Sequence, residues 1–190
     1  MLAVGKARRE EILDAARREF SARGYGGATI DAIAVEAGVA KGTVYLYFES
    51  KRELFLACLR DGVVELHAEA ERRMGEAATC EEKLRAFIAT RFDYFSRNRE
   101  WFRIYYTEFA QLIAGTANAQ PEFQDLYEEQ LRRLEAVLAA GGVKGAERKA
   151  RLVYDLVRAA LAHHILHEGG EGPEEAVAAL HEFVWKGIGG

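Results

Sequence analysis

Lys41, Thr43 and Tyr45 alternate along a short stretch of chain, and Ala34, Gly38 and Val44 are spaced four and six residues apart around them. An ammonium, a hydroxyl and a phenol are groups that hydrogen-bond phosphate oxygens and base edges. The Ala-Gly-Val spacing is what two short helices crossing steeply require. Ala34 keeps the first helix thin at the crossing, and Gly38 takes a positive φ at no steric cost. Val44 faces inward, with Ile33, Val39 and Phe48 filling a small core around it. The second helix then turns Lys41, Thr43 and Tyr45 outward, and a helix of this size fits a DNA major groove. His163 and His167 stand four apart on a helix, as zinc ligands do, but no carboxylate or third ligand lies at a telling spacing. Packing or interface roles are expected for them and for His164. The chain shows no nucleophile–base pair, phosphate loop or metal triad, so neither enzymatic activity, nor a metal, nor a cofactor is expected.

These groups must be positioned by helices. Two prolines among 190 residues, with 49% hydrophobic and 29% charged side chains, describe a globular, helix-rich chain rather than a disordered one. The expected fold is all-α with about nine helices and no strand. The first runs from Lys6 to Arg23 on Ile12, Leu13, Ala16 and Phe20, and stops at Gly24 and Gly26-Gly27. Thr29 caps a short second helix with Asp31 in its first turn, and a third covers Lys41 to Tyr47. Ser50-Lys51-Arg52-Glu53 and Thr79-Cys80-Glu81-Glu82 read as capping boxes for the fourth and fifth. A sixth is expected over Glu100–Ile113. Pro121 opens a seventh that ends at Gly141-Gly142, an eighth runs from Gly145 to Gly169-Gly170, and Pro173 opens the last.

The net charge of −4 hides a split: residues 1–60 carry ten Lys/Arg against eight Asp/Glu, and the remainder is acidic. That balance permits nucleic-acid binding at the amino end without demanding it. The longest uncharged run, Phe109–Pro121, is too short to span a membrane, and no membrane partner is expected. The N-terminus has no apolar core of signal-peptide length, and Cys58 and Cys80 make no disulfide framework. A cytoplasmic location is the expectation.

The segment TIDAIAVEAGVAKGTVYLYFESKREL, Thr29–Leu54, resembles the tetracycline-repressor (TetR) family of bacterial transcriptional regulators. The resemblance is carried by Thr29, Ile33, Ala34, Lys51 and Leu54 and by the unbroken string Ala37-Gly38-Val39-Ala40-Lys41-Gly42-Thr43-Val44-Tyr45-Leu46-Tyr47-Phe48. It implies a homodimer with an N-terminal three-helix helix-turn-helix domain over residues 1–50. A helical ligand-sensing and dimerisation domain would occupy residues 51–190. It further implies phosphate contacts by Thr29, Tyr45, Tyr47 and Lys51, and approach to the bases by Lys41, Gly42 and Thr43. Tyr47 stands where many members have histidine; its phenol can still donate to a phosphate. Arg8 and Arg9 could touch the flanking backbone.

Eight of the twenty aromatic residues fall between Phe92 and Phe109. They read either as core or as the wall of a cavity for an apolar or aromatic effector. The candidate lining is Phe92, Arg103, Tyr105, Tyr106 and Phe109, with Arg91, Glu108 and Gln111 as further polar groups. The last two helices carry apolar stripes at Leu152, Leu156, Ala159, Ala160 and His163 and at Val177, Leu180, Phe183 and Val184. In the family the last two helices pair with their symmetry mates, though an intramolecular pair would produce the same stripes. The expected function is a ligand-responsive regulator, a repressor released from a palindromic double-stranded DNA operator by a small-molecule effector. The alternatives are a helix-turn-helix protein without a working sensor and a helical enzyme with a look-alike N-terminus.

Overall fold

The computed structural model describes residues 2–99, 101, 102, 106, 121–166 and 172–189. Eight helices occur among them: α1 Leu2–Gly27, α2 Ile30–Glu36, α3 Lys41–Tyr47, α4 Lys51–Glu76, α5 Cys80–Arg97, α6 Pro121–Ala140, α7 Ala146–Leu166 and α8 Pro173–Gly189. No strand is found among the described residues. Most of the helix expected over Glu100–Ile113 lies outside them, although Trp101, Phe102 and Tyr106 are helical. The chain divides into two compact units, Met1–Gly62 and Val63–Gly190, and α4 contributes residues to both.

In the first unit, α1 buries Ile12, Leu13, Ala15, Ala16 and Phe20, the four-residue stripe read from sequence. Gly24 breaks its helical geometry at φ 67°, ψ 173°, a conformation open to glycine alone at little cost. Beyond the break, Tyr25 and Phe20 clamp Phe55 of α4 edge-on, at 5.2 and 4.8 Å between centroids. The Cys58 thiol faces the Leu13 carbonyl at 3.7 Å, and burial pushes its pKa up to about 12. It is an inert apolar spacer between α1 and α4.

The α2–α3 reversal follows its sequence closely. The Thr29 hydroxyl accepts the Ala32 N–H at 3.1 Å, an N-cap that contributes on the order of 1 kcal/mol. At the other end of α2, Val39 N–H donates to Ala34 O at 2.9 Å and Gly38 N–H to Val35 O at 3.1 Å. With Gly38 at φ 66°, these are the two bonds of a Schellman cap. Ile33, Ala34, Val44 and Phe48 are buried beneath it, while Val39 is only half-buried.

The second unit packs the remainder of α4 with α5, α6, α7 and α8. Thr79 and Glu82 form the expected capping box on α5: Glu82 N–H donates to Thr79 Oγ1 at 3.1 Å and Thr79 N–H to Glu82 Oε2 at 2.9 Å. The Ser50–Glu53 pair differs in one bond. Glu53 N–H donates to Ser50 Oγ at 3.1 Å, but the Glu53 carboxylate takes the Glu49 N–H, at 2.6 Å, one residue earlier than in the usual box. The end of α6 repeats the Schellman pattern of α2, with Val143 N–H on Leu138 O, Gly142 N–H on Ala139 O and Gly142 at φ 79°.

Here α6 ends against the start of α5. A Cβ added at Gly141 would lie 2.5 Å from both Cβ and Sγ of Cys80, closer than any real contact. Gly141→Ala should therefore lower stability by about 1–3 kcal/mol through overpacking. In a Cys80→Gly background the same change should cost distinctly less, as read by urea denaturation. Equal losses in both backgrounds would show that the two residues do not meet.

Candidate nucleic-acid interface and effector cavity

Around the α3 axis, Val44 is buried, Thr43 and Tyr47 are half-buried, and Lys41, Gly42, Tyr45 and Leu46 are exposed. The outward face is thus a hundred-odd degrees wide by helical geometry, with Gly42 near its centre and a cation, a phenol and an aliphatic side chain around it. Leu46, which sequence reasoning passed over, is 82% exposed, and Val35 on α2 is 81% exposed. Both break the polar pattern of a solvent-facing helix, and that break was the available signal.

Several of the cations anticipated at this surface hold intramolecular partners. Lys41 Nζ donates to Asp31 Oδ2 at 2.8 Å, and the hydrogen bond and charge of Asp31 raise its pKa. Lys51 is the first residue of α4 and lies over the Tyr25 ring, its Nζ 4.7 Å from the centroid. Arg8 pairs with Glu11 at 2.7 Å, and the Arg9 guanidinium lies 5.1 Å from the Phe48 centroid. Thr29 spends an oxygen lone pair on its cap, yet its O–H remains a donor.

In the second unit, Leu66 and His67 of α4, Arg91 and Phe95 of α5, Phe102, and Tyr154, Val157, Arg158 and Leu161 of α7 surround one cavity. The open space is about 10 Å³, no more than one water needs. Arg91 is buried, donating to Phe87 O at 3.1 Å and to Gln130 Oε1 of α6 at 3.0 Å. Its guanidinium is 3.5 Å from the Phe87 centroid. Burial, then the charges of Arg91 and Arg133, push the His67 pKa down to about 2, so its imidazole is neutral at any physiological pH.

Of the residues anticipated for a ligand, Tyr106 adjoins this cavity: its ring lies tilted beside Phe102 at 5.7 Å between centroids, and Arg158 lies 5.6 Å from it. Phe92 is buried beside His164, at 5.4 Å, and is not on the cavity wall. Arg103, Tyr105, Glu108, Phe109 and Gln111 lie outside the described residues. Sequence reasoning missed His67, Tyr154 and Arg158. The last two share one face of α7 with Val157 and Leu161, and a charge inside that apolar stripe was the clue. His163 is exposed, His164 Nε2 lies 3.4 Å from Ser96 Oγ, and His167 is outside the described residues.

The neutral His67 has a consequence for stability. Its folded pKa is depressed below the ordinary value of 6.5, so its contribution is complete above pH 6.5 and drains away as pH falls from there towards 2. The loss is about 1.4 kcal/mol per pH unit. His67→Gln should flatten the pH dependence of unfolding free energy between pH 6.5 and 5, measured by urea titration. An unaltered slope would assign the dependence elsewhere.

Residues 12–58 match the family of bacterial regulatory proteins called the tetR family, and that span contains every residue of the α2–α3 reversal. The regulator BetI of Brucella anthropi is 26% identical over 182 residues, 93% of this chain and 91% of its own. A transcriptional regulator of Saccharomonospora viridis, solved with choline, shares the fold at TM-score 0.78 and 20% identity, covering 96% of this chain and 98% of that one. FadR of Bacillus subtilis, solved with stearoyl-CoA, does so at TM-score 0.75 and 20% identity, covering 94% and 98%. With the α2–α3 geometry and the matched segment in agreement, residues 12–58 form a domain of the tetR family of bacterial regulatory proteins, and the chain shares the fold of the solved regulators.

Proposed function

We propose that the chain acts as a homodimeric repressor whose first unit reads a palindromic operator and whose second unit responds to a small molecule. The observation that carries the DNA-reading half is the outward face of α3, locked in place by the burial of Val44. In a two-fold dimer, two such helices would enter successive major grooves about 34–36 Å apart. Thr29, Tyr45, Tyr47 and Lys51 would hold phosphates and fix register. Lys41, Gly42 and Thr43 would approach the bases. For Lys41 this means exchanging Asp31 for the DNA, an exposed ion pair of the kind that costs little to open.

The dimer surface proposed is the outer face of α7 and α8. Helix α7 is apolar on two sides: Val153, Tyr154, Val157, Leu161 and Ile165 are buried, while Leu152, Leu156 and Leu166 are exposed. On α8, Phe183 is 69% exposed, in line with Ala179 and Gly187. A second copy packing on these stripes would bury them, as the cost of exposed apolar surface favours.

Effector binding would then favour a conformation whose two α3 helices no longer match the operator spacing. Such coupling requires the effector to prefer one conformation over the other. Helix α4, with Lys51 at its start and Leu66 and His67 on the cavity wall, is the element that would carry it. The tight filling of the cavity favours a second reading, a DNA-binding dimer with no sensor. Titration with candidate effectors separates the two.

Selection of bound sequences from a random DNA pool tests the first proposal: enriched sequences should be inverted repeats with half-sites about one helical turn apart. No enrichment over the input pool would refute it. Lys51→Ala should weaken binding to all sequences alike and reduce the salt slope by about one, whereas Thr43→Ala should change the preference among operator variants. Phe183→Glu should convert a dimer to monomers in sedimentation at micromolar concentration; a dimer that persists unchanged would move the interface elsewhere.

A further inference from the structure

The cavity of the second unit gathers hydrogen-bond donors that its apolar walls do not call for. Arg91, 4% exposed, sets its guanidinium beside the rings of Phe87 and Tyr154, at 3.5 and 5.5 Å. From α7, Arg158 reaches the same space, bordered by Tyr106 and holding Asp155 at 3.4 Å. Gln130, 1% exposed, gives its oxygen to Arg91, and its buried amide nitrogen has no hydrogen-bond partner among the described residues. No acidic side chain lines the cavity among those residues. Two guanidiniums thus stand against Phe95, Phe102, Val157 and Leu161, with Gln130 behind Arg91.

We propose that the effector is an amphipathic organic acid. Its carboxylate lies at Arg91 and Arg158, and its apolar body runs along Phe95, Phe102 and Leu161. The inference rests on the reading of the second unit as a sensor. Charge-assisted and bidentate bonds to guanidinium are the strong ones, and in a poorly solvated site they gain further. A quaternary ammonium such as choline would meet like charges there, so the choline-bound fold neighbour is the poorer guide to this cavity. The thioester carbonyl of an acyl-CoA offers no charge at that end. Because the open space is about 10 Å³, any such acid must displace wall side chains. Phe102 is the chain neighbour of buried Trp101, which supplies an optical signal.

The test is calorimetric titration of the full chain at neutral pH, with tryptophan fluorescence in parallel. Two matched series are used: decanoate, decanol, decyltrimethylammonium and decanoyl-CoA, and phenylacetate, phenylethanol and phenethylammonium. In at least one series the acid should bind about tenfold or more tightly than its alcohol and ammonium counterparts, a difference of roughly 1.4 kcal/mol, and should shift the fluorescence. Arg158→Met should bring that ratio close to one. An alcohol, ammonium or CoA thioester that binds as well as the acid would overturn the acid assignment and leave the sensor reading standing. Binding by no member of either series would overturn both. The wild-type ratio alone decides the matter should the variant fail to fold.

Discussion

A seven-residue helix has little stability of its own, because nucleation costs more than so few hydrogen bonds return. Both α2 and α3 are of that length, so the pair depends on the packing of α2 against α1 and on the contact of α2 with α3. That contact depends on the reversal at Gly38. The left-handed backbone there brings Val39 N–H onto Ala34 O and swings α3 across α2 at a point where Ala34 leaves room. Val44 and Phe48 then bury against Ile33. Once Val44 is fixed inward, helical geometry leaves no choice about which residues face out.

The two units differ in what they bury. The first has an almost wholly apolar interior, with Glu19 the one charged residue counted as buried in it among the described residues. The second buries His67, Thr90, Arg91, Gln130 and His181. Some of these are satisfied by neighbouring backbone, as Thr90 is by Ala86 O and His181 by Glu81 O. Arg91 and His67 instead face a common space. Burying a guanidinium is expensive unless it is well bonded. Arg91 meets that condition through Phe87 O, Gln130 Oε1 and the Phe87 ring. It stands beside a second arginine in an aromatic cavity, the arrangement on which the proposal of an acidic ligand is built.

The helices of the second unit also explain why one stripe reading was incomplete. Leu152, Leu156, Ala159 and His163 form a regular apolar row, and sequence periodicity finds it readily. In the fold that row is exposed, and the core contact belongs to the row one step round, from Val153 through Val157 to Ile165. A helix apolar on two sides gives one clear period and conceals the second. Only the packing of α7 says which side is already occupied.

Local chemistry was legible from the chain alone. The caps at Thr29, Ser50 and Thr79, the breaks at Gly24, Gly38 and Gly142, and the inward set of Ile33, Ala34, Val44 and Phe48 all depend on residues within a few positions of one another. Steric and hydrogen-bonding rules over such distances are strict. What tertiary structure decided lies between distant segments: Lys41 held by Asp31, Lys51 laid on Tyr25, Gly141 set against Cys80, and Arg91 meeting Gln130, Tyr154 and the wall shared with Arg158. Those meetings follow from how helices dock, a property of whole faces rather than of spacing, and no short-range pattern encodes them.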